Sequence, residues 1–374
     1  MTGGRPTLVH VVGARPNFVK MAPVVEALAR THAFEQIIVH TGQHYDARLS
    51  DDVLADLEFP APDHFLGVGS GPHGEQTAKV LAGFERILLD VDPDAVVVAG
   101  DVNSTLACAL AAAKLGTAVV HLEAGLRSGD WTMPEEINRV LTDRLSDVLL
   151  THSPEAVDNL VAEGIDPRAV HYVGNTMIDS LRRCEKRARA RAAFRELGMT
   201  AHGYVLVTFH RPGNVDDAAR LAQIVTALVE LAAHCPVVFP VHPRTHGRLE
   251  ASGDLERLES AGVRCIGPAG YLEFLSLQAA AGAIVTDSGG VQEEASALGV
   301  ACFTFRPNTE RPVTISHGSN TLLGDNPMEI ARVRPTLRPP VPCAIPLWDG
   351  HAAERVAGVL VSRFVSTMFE EVAA

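Results

Sequence analysis

Short runs of apolar, largely β-branched residues alternate with amphipathic helical stretches from one end of this chain to the other. Runs of this kind occupy residues 8–12, 37–40, 95–99, 119–122, 148–150 and 170–173. A second series occupies 205–209, 237–241, 263–266, 283–286 and 301–305. Helical patterns lie between them, at 18–29, 104–114, 217–233 and 290–298. Strands apolar on both faces, separated by helices, predict parallel sheets covered on both sides. The chain is therefore expected to be α/β, with two doubly wound domains, one for each series.

The length agrees with two domains, since 374 residues exceed what one hydrophobic core serves. A charged, Arg- and Ala-rich stretch at 182–195 follows a crossover near Gly174 and reads as a helix. A Pro-rich stretch at 334–346 ends the second series, and 352–371 is again helical in pattern. The expected division is 1–175 with 352–374 for one domain and 176–351 for the other.

Net charge narrows the function classes. At −13 the surface opposes nucleic acid and anionic membranes, both of which require a basic face. One Arg-lined pocket can still hold a diphosphate. The six cysteines form no CxxC pair, and they read as buried thiols in a reducing compartment. The start of the chain lacks the basic and apolar regions of a signal peptide, and no apolar run has the length of a membrane helix. A cytoplasmic protein is the expectation.

In open parallel sheets, ligands bind beyond the carboxyl ends of the strands. The first strand ends in Gly13-Ala14-Arg15-Pro16, and Lys20 lies on the helix that follows. This suits an anion at a helix N-terminus, and equally a plain turn with a surface Arg. It is neither a GxGxxG fingerprint nor a Walker loop. The 95–99 run ends in Gly100-Asp101, and the 119–122 run ends in Glu123. Two carboxylates at neighbouring strand ends suit proton transfer, although Asp101 also reads as a helix N-cap. Met133-Pro134-Glu135-Glu136 is ordinary helix-start chemistry, and Glu135 could pair with Arg139 on one face. His210-Arg211 at a strand end suits phosphate binding or leaving-group protonation. His242-Pro243 reads equally as turn chemistry. In Thr286-Asp287-Ser288-Gly289-Gly290, a strand gives way to a helix through a turn whose amides can cradle a diphosphate. Glu294, one turn in, could reach ribose hydroxyls. Neither metal-ligand spacing nor a serine triad occurs.

Together these segments resemble the non-hydrolysing UDP-N-acetylglucosamine 2-epimerases. The resemblance also takes in Thr41-Gly42-Gln43-His44, His121 to Arg127, Gly174-Asn175-Thr176 and Thr309-Glu310-Arg311-Pro312, and so covers nearly the whole chain. It implies a GT-B type fold, two Rossmann-like domains facing a central cleft, with the last helix returning to the first domain. Asp101, Glu123, Glu135 and His210 match the family's catalytic residues. The substrate-binding set it implies is Arg15, Lys20, Arg139, Arg211, His242, Ser288, Gly289, Gly290, Glu294 and Arg311. Arg15 matches a residue near the diphosphate, Ser288 to Gly290 the diphosphate loop, Glu294 the ribose acid and Arg311 a sugar-side residue.

The reaction implied is inversion at C2 of a UDP-N-acetylhexosamine. UDP is eliminated anti to leave 2-acetamidoglucal and is then added back syn, with no cofactor and no metal. A homodimer is implied as well. Tyr45-Asp46 and Met133-Pro134-Glu135 are similar to an archaeal-type branch and to relatives acting on UDP-2,3-diacetamido-glucuronate. A GT-B glycosyltransferase explains Ser288 to Glu294 equally well, but has no need of three acids on the N-terminal side.

Overall fold

The computed structural model describes residues 4–43 and 53–365. The chain divides into two compact units. One runs to Ser180 and takes up the chain again at Pro346, and the other is Leu181–Ile345.

The first unit holds a seven-stranded sheet. Its strands are β1 (Thr7–Val12), β2 (Glu35–His40), β3 (His64–Phe65), β4 (Ala95–Ala99), β5 (Ala118–Leu122), β6 (Val148–Thr151) and β7 (Val170–Tyr172). The order is β3-β2-β1-β4-β5-β6-β7, and every pairing is parallel. β4 reads Ala-Val-Val-Val-Ala and all five residues are buried. A strand so apolar on both faces has no place at a solvent edge, and it sits at the centre. On one face the Ala-rich helix Asn103–Leu115 packs closely on His73–Val91, its small side chains letting the backbones approach. Phe84, Leu88, Val96 and Val98 belong to the core beneath. Burying each such side chain contributes roughly 1.5–3 kcal/mol.

The second unit holds β8 (Val205–Thr208), β9 (Val237–Pro240), β10 (Val263–Ile266), β11 (Ala283–Thr286), β12 (Cys302–Thr304) and β13 (Asn320–Leu322). They form an all-parallel sheet in the order β10-β9-β8-β11-β12-β13. Its core gathers Phe209, Phe239 and Phe305 in edge-to-face contacts.

Each sheet thus has one point where the strand order reverses, between β1 and β4 in the first unit and between β8 and β11 in the second. These two points position the candidate sites.

The sequence reading does not anticipate β3 and β13, which are two and three residues long, partly polar and at sheet edges. The predicted helix at 182–195 begins earlier, at Thr176, where Asn175 Oδ1 accepts from the Met177 amide at 2.9 Å. It stops at Arg191, because Ala192 turns left-handed before a 3-10 turn at Ala193–Arg195. The last helix is Ala352–Leu360, widening to a π turn at Val361–Val365; residues 366–371 of that prediction lie outside the described residues.

The units divide at 180/181 and 345/346 rather than at 175 and 352. Hydrogen bonds explain where the first unit ends. Ser180 Oγ donates to the Val19 carbonyl at 2.6 Å. Asp179 accepts from the amides of Ala352 and Ala353, at 3.2 and 2.7 Å. Trp348 Nε1 donates to the His152 carbonyl at 2.9 Å.

Candidate functional site

At the reversal in the first sheet, β1 turns into the helix Arg15–Thr31. Asn17 Oδ1 accepts from the amides of Gly13 and Ala14, and its Nδ2 donates to the Ala99 carbonyl at 2.8 Å. That side chain ties the ends of β1 and β4 together. Lys20, one turn further along, is buried, and its Nζ lies 2.5 Å from Glu123 Oε2. Two buried opposite charges at this distance stabilise each other, and either alone would carry a large desolvation cost. Gly100 makes room for them. It has φ +68, and a Cβ there would stand 2.9 Å from Lys20 Nζ. Glu123 itself has φ 72, a left-handed conformation that costs a non-glycine residue about 1–3 kcal/mol. Its amide and that of Ala124 both donate to the Leu150 carbonyl at 3.0 Å, which holds the turn in place.

Asp101 follows Gly100. The helix Asn103–Leu115 begins on Val102, so Asp101 is not its N-cap. Its carboxylate instead takes Arg139 Nη2 at 2.5 Å, and its side chain is 22% exposed. Arg139 comes from the helix Pro134–Leu145 and is buried. Its Nη1 lies 2.5 Å from Glu136 Oε2. The expected i,i+4 partnership with Glu135 is therefore replaced by one at i,i+3 with Glu136. Glu135 is exposed at the start of the same helix. Burial pushes the Glu136 carboxyl up, but the amides of Ser128 and Gly129 together with Arg139 outweigh it and hold it below the ordinary value.

Behind this turn lies a buried charged chain. His121 Nδ1 is 2.6 Å from Asp143 Oδ1, and Arg127 Nη1 is 2.7 Å from Asp143 Oδ2. Arg127 in turn grips Glu163 through two hydrogen bonds. Burial raises the Asp143 carboxyl, but His121 and Arg127 bring it below its ordinary value.

At the reversal in the second sheet, His210 and Arg211 follow β8, and Asp287 follows β11. Asp287 is fully buried and organises the turn. Its carboxylate accepts from the amides of His210 and Arg211 and from Asn214 Nδ2, all at 3.0–3.2 Å. His210 Nδ1 lies 3.0 Å from Asp287 Oδ1, while 43% of the His210 side chain faces solvent. A buried carboxylate behind a half-exposed imidazole orients the ring. Burial raises the Asp287 carboxyl; His210 and Asn214 override this and bring it down to about 2. The His242 ring centre is 6.0 Å from that of His210. His242 Nδ1 accepts from the Arg244 amide at 3.3 Å, the turn role open to it from sequence.

Ser288 is the N-cap of the helix Gly289–Leu298, which presents the amides of Gly289 and Gly290 at its start. Gly289 is required by close packing, since a Cβ would stand 2.4 Å from Arg311 Nη1. Arg311 is buried between Glu293, at 3.0 Å, and Glu310, at 2.5 Å. Arg306 holds the other Glu310 oxygen at 2.6 Å, and Arg211 reaches Glu310 at 3.5 Å. Burial raises the Glu310 carboxyl, yet Arg311, Arg306 and Arg211 hold it well below the carboxylate range. The glycine turn thus rests on a buried ionic cluster. Glu294 is buried, and Gln278 Nε2 donates to its Oε2 at 2.6 Å.

The sequence reading misses Glu136, Asp143, Asp287, Glu310 and Gln278 as working partners. Asp287, standing in the Thr286–Gly290 signal itself, was the one within its reach. Among the described residues, no group of three or more His, Cys, Asp and Glu side chains is placed to hold a metal ion. Among the same residues, no helix is long and apolar enough to cross a membrane. The stretch His44 to Leu49, with Tyr45-Asp46, lies outside the described residues.

Two parallel sheets, each with its loops at a strand-order reversal, one rich in acids and one with a glycine turn at a helix start, define an α/β enzyme of the GT-B type. A family model for UDP-N-acetylglucosamine 2-epimerase matches residues 26–361. A UDP-N-acetylglucosamine 2-epimerase of Methanocaldococcus jannaschii is 42% identical over 358 residues, 94% of this chain and 97% of that protein. A UDP-2,3-diacetamido-2,3-dideoxy-D-glucuronate 2-epimerase of Pseudomonas aeruginosa is 43% identical over 321 residues, 85% of this chain and 88% of that protein. The crystal structure of the Methanocaldococcus jannaschii UDP-GlcNAc 2-epimerase in complex with UDP-GlcNAc and UDP superposes with a TM-score of 0.88 at 41% identity, covering 95% of this chain and 99% of that one. The chain belongs to the UDP-N-acetylglucosamine 2-epimerase family and is an isomerase.

Proposed function

We propose that this enzyme interconverts UDP-N-acetylglucosamine and UDP-N-acetylmannosamine. The observation that carries the reading is the acid set around β4 and β5. Asp101 is held by Arg139 and Glu123 by Lys20, and Glu135 opens the next helix.

The C2–H bond of a hexosamine is barely acidic, because no carbonyl stands beside it. Loosening the C1–O bond builds oxocarbenium character at C1 and acidifies C2–H. One carboxylate of the set takes the proton, the C2–H electron pair forms the C1–C2 double bond, and UDP leaves with the C1–O pair. Return of UDP to C1, with a proton delivered to the opposite face of C2, gives the epimer. Carboxylates at two neighbouring strand ends and a helix start suit a base on one face and an acid on the other.

The second unit serves UDP. The Ser288-Gly289-Gly290 amides receive the diphosphate, with Arg15 and Arg211 as cations for the departing charge and His210 as a hydrogen-bonding partner. Asp287 keeps His210 in its orientation. Glu294, its rotation set by Gln278, takes the ribose hydroxyls. Arg311 acts from behind the turn and supports the sugar side through Glu310 and Gly289, and His242, which follows β9, stands with its ring 6.0 Å from that of His210. The same reading makes the enzyme a cytoplasmic homodimer: the family resemblance supports the dimer, and six free thiols, four of them buried, support a reducing compartment. Sedimentation of the purified protein checks the dimer.

The test is incubation with UDP-N-acetylglucosamine in D2O, with no sugar acceptor. The expected outcome is deuterium at C2 and the appearance of the manno epimer. UDP release that depends on an acceptor, with C2 unlabelled, would sink the reading in favour of a glycosyltransferase. The Pseudomonas aeruginosa relative supports a second substrate, the UDP-2,3-diacetamido-glucuronate, as the parallel arm of the same assay.

A further inference from the structure

His121 is fully buried at the next-to-last residue of β5, two residues before Glu123. Its two ring nitrogens have different partners. Nδ1 lies 2.6 Å from Asp143 Oδ1, and Nε2 lies 2.8 Å from the Gly100 carbonyl oxygen. A carbonyl oxygen can only accept, so Nε2 carries hydrogen. Asp143 already accepts on its other oxygen from the Gly125 amide, at 3.1 Å, and pairs there with Arg127. It is therefore an acceptor toward Nδ1 as well.

We propose that His121 is a buried imidazolium that acts as the positioning residue of Asp101, fixing the Gly100-Asp101 peptide through the Gly100 carbonyl. The charges balance locally, with His121 and Arg127 set against Asp143 and Glu163. The turn is held at three backbone points. The Gly100 amide donates to the Leu122 carbonyl at 3.0 Å. His121 holds the Gly100 carbonyl, and Asn138 Nδ2 donates to the Asp101 carbonyl at 2.9 Å. Gly100 has no side chain to resist rotation at φ +68, so the turn takes its direction from these three bonds. With the His121 contact gone, the peptide pivots, and the Asp101 carboxylate leaves the place where Arg139 and the substrate C2 require it. A displacement of about 1 Å at such a group costs on the order of 100-fold in rate.

The inference rests on the reading of Asp101 as an acid of the reaction, and the test separates the two. In His121→Gln the amide nitrogen reaches toward the position of Nε2 and keeps the bond to Gly100. In His121→Asn it takes the position of Nδ1 and keeps the bond to Asp143. The expected result is a kcat loss of about 100-fold in H121N. H121Q retains several times more activity, and the Kd for UDP is the same in both. A purely structural histidine predicts the opposite, with activity following thermal stability through the Asp143 contact. The nitrogen-15 spectrum of wild-type enzyme, in which the His121 signals are those missing from H121Q, is expected to show hydrogen on both ring nitrogens. A ring nitrogen without hydrogen, or equal loss in H121N and H121Q beside an inactive Asp101→Asn, overturns the inference alone. Wild-type turnover in Asp101→Asn overturns the reading beneath it.

Discussion

Both units break their strand order at the same place in the sheet, yet they fill the break with opposite chemistry. In the first, the strand ends carry carboxylates, and each is matched to a cation: Lys20 to Glu123, and Arg139 to Asp101. In the second, the strand ends carry a histidine and a glycine turn, and the acids are withdrawn behind them: Asp287 under His210, and Glu310 and Glu293 around Arg311. One unit thus brings acids forward on buried bases, and the other brings donors forward on buried acids. The sheet fixes where chemistry happens, and the polarity of the layer behind the loop fixes which chemistry it is. On the proposed reading, proton transfer belongs to the first arrangement and anion binding to the second.

That division is broken most sharply at Asp101. Asp101→Asn keeps the shape of the side chain and removes its charge. Loss of a general acid or base is worth about 10²–10⁴-fold, so deuterium exchange at C2 should fall by that factor while UDP still binds. Unaltered exchange removes Asp101 from the reaction. Lys20→Met removes the Lys20 charge from the buried Glu123, and breaking such a pair costs about 3–5 kcal/mol of stability. Urea unfolding followed by circular dichroism measures this, and a change under 1 kcal/mol would contradict the buried pair. Smaller, and confined to the donor side, is Glu294→Gln. It keeps an acceptor for Gln278 and removes the charge proposed to meet a ribose diol. The loss expected is one charge-assisted hydrogen bond, about 1.5–3 kcal/mol, read as weaker UDP binding by calorimetry with C2 exchange at saturation preserved. Equal UDP affinity would take Glu294 out of the nucleotide site.

Much of this arrangement is legible before any coordinates. Buried parallel strands announce themselves as uninterrupted apolar runs, and glycine turns with acids stand where those runs stop. The partners behind the loops are not legible, because they join residues far apart in sequence. His121 meets Asp143 across a helix, and Gln278 meets Glu294 from another. Glu135 and Glu136 show the limit most clearly. Residues three and four before Arg139 are equally good helical neighbours. Which of them turns inward depends on the angle at which the helix Pro134–Leu145 leaves its loop, and the Ser128 and Gly129 amides that receive Glu136 decide it. Edge strands escape for a different reason. A pair such as His64–Phe65 gains its strand character from its neighbour β2, not from its own composition.

The finest test of the comparison uses two aspartates that burial treats alike and their partners treat differently. Asp287, in the second unit, is raised by burial but brought down to about 2 by His210 and Asn214. Asp179, in the first unit, is raised by burial to about 6, and the Ala352 and Ala353 amides offset only part of that rise. A depressed carboxyl contributes stability that is present above its unfolded value, near 3.9, and is lost as the pH falls toward 2. A raised carboxyl works the other way, its contribution being complete below that unfolded value and lost as the pH climbs through 6. Asp179→Asn should therefore flatten the stability profile between pH 4 and 6, and Asp287→Asn should flatten it between pH 4 and 2. Each change is about 2–3 kcal/mol, at 1.36 kcal/mol per unit of difference between folded and unfolded values. Thermal unfolding at stepped pH gives both slopes. If the two variants flatten the same limb, the hydrogen-bonding partners around each aspartate do not set its charge.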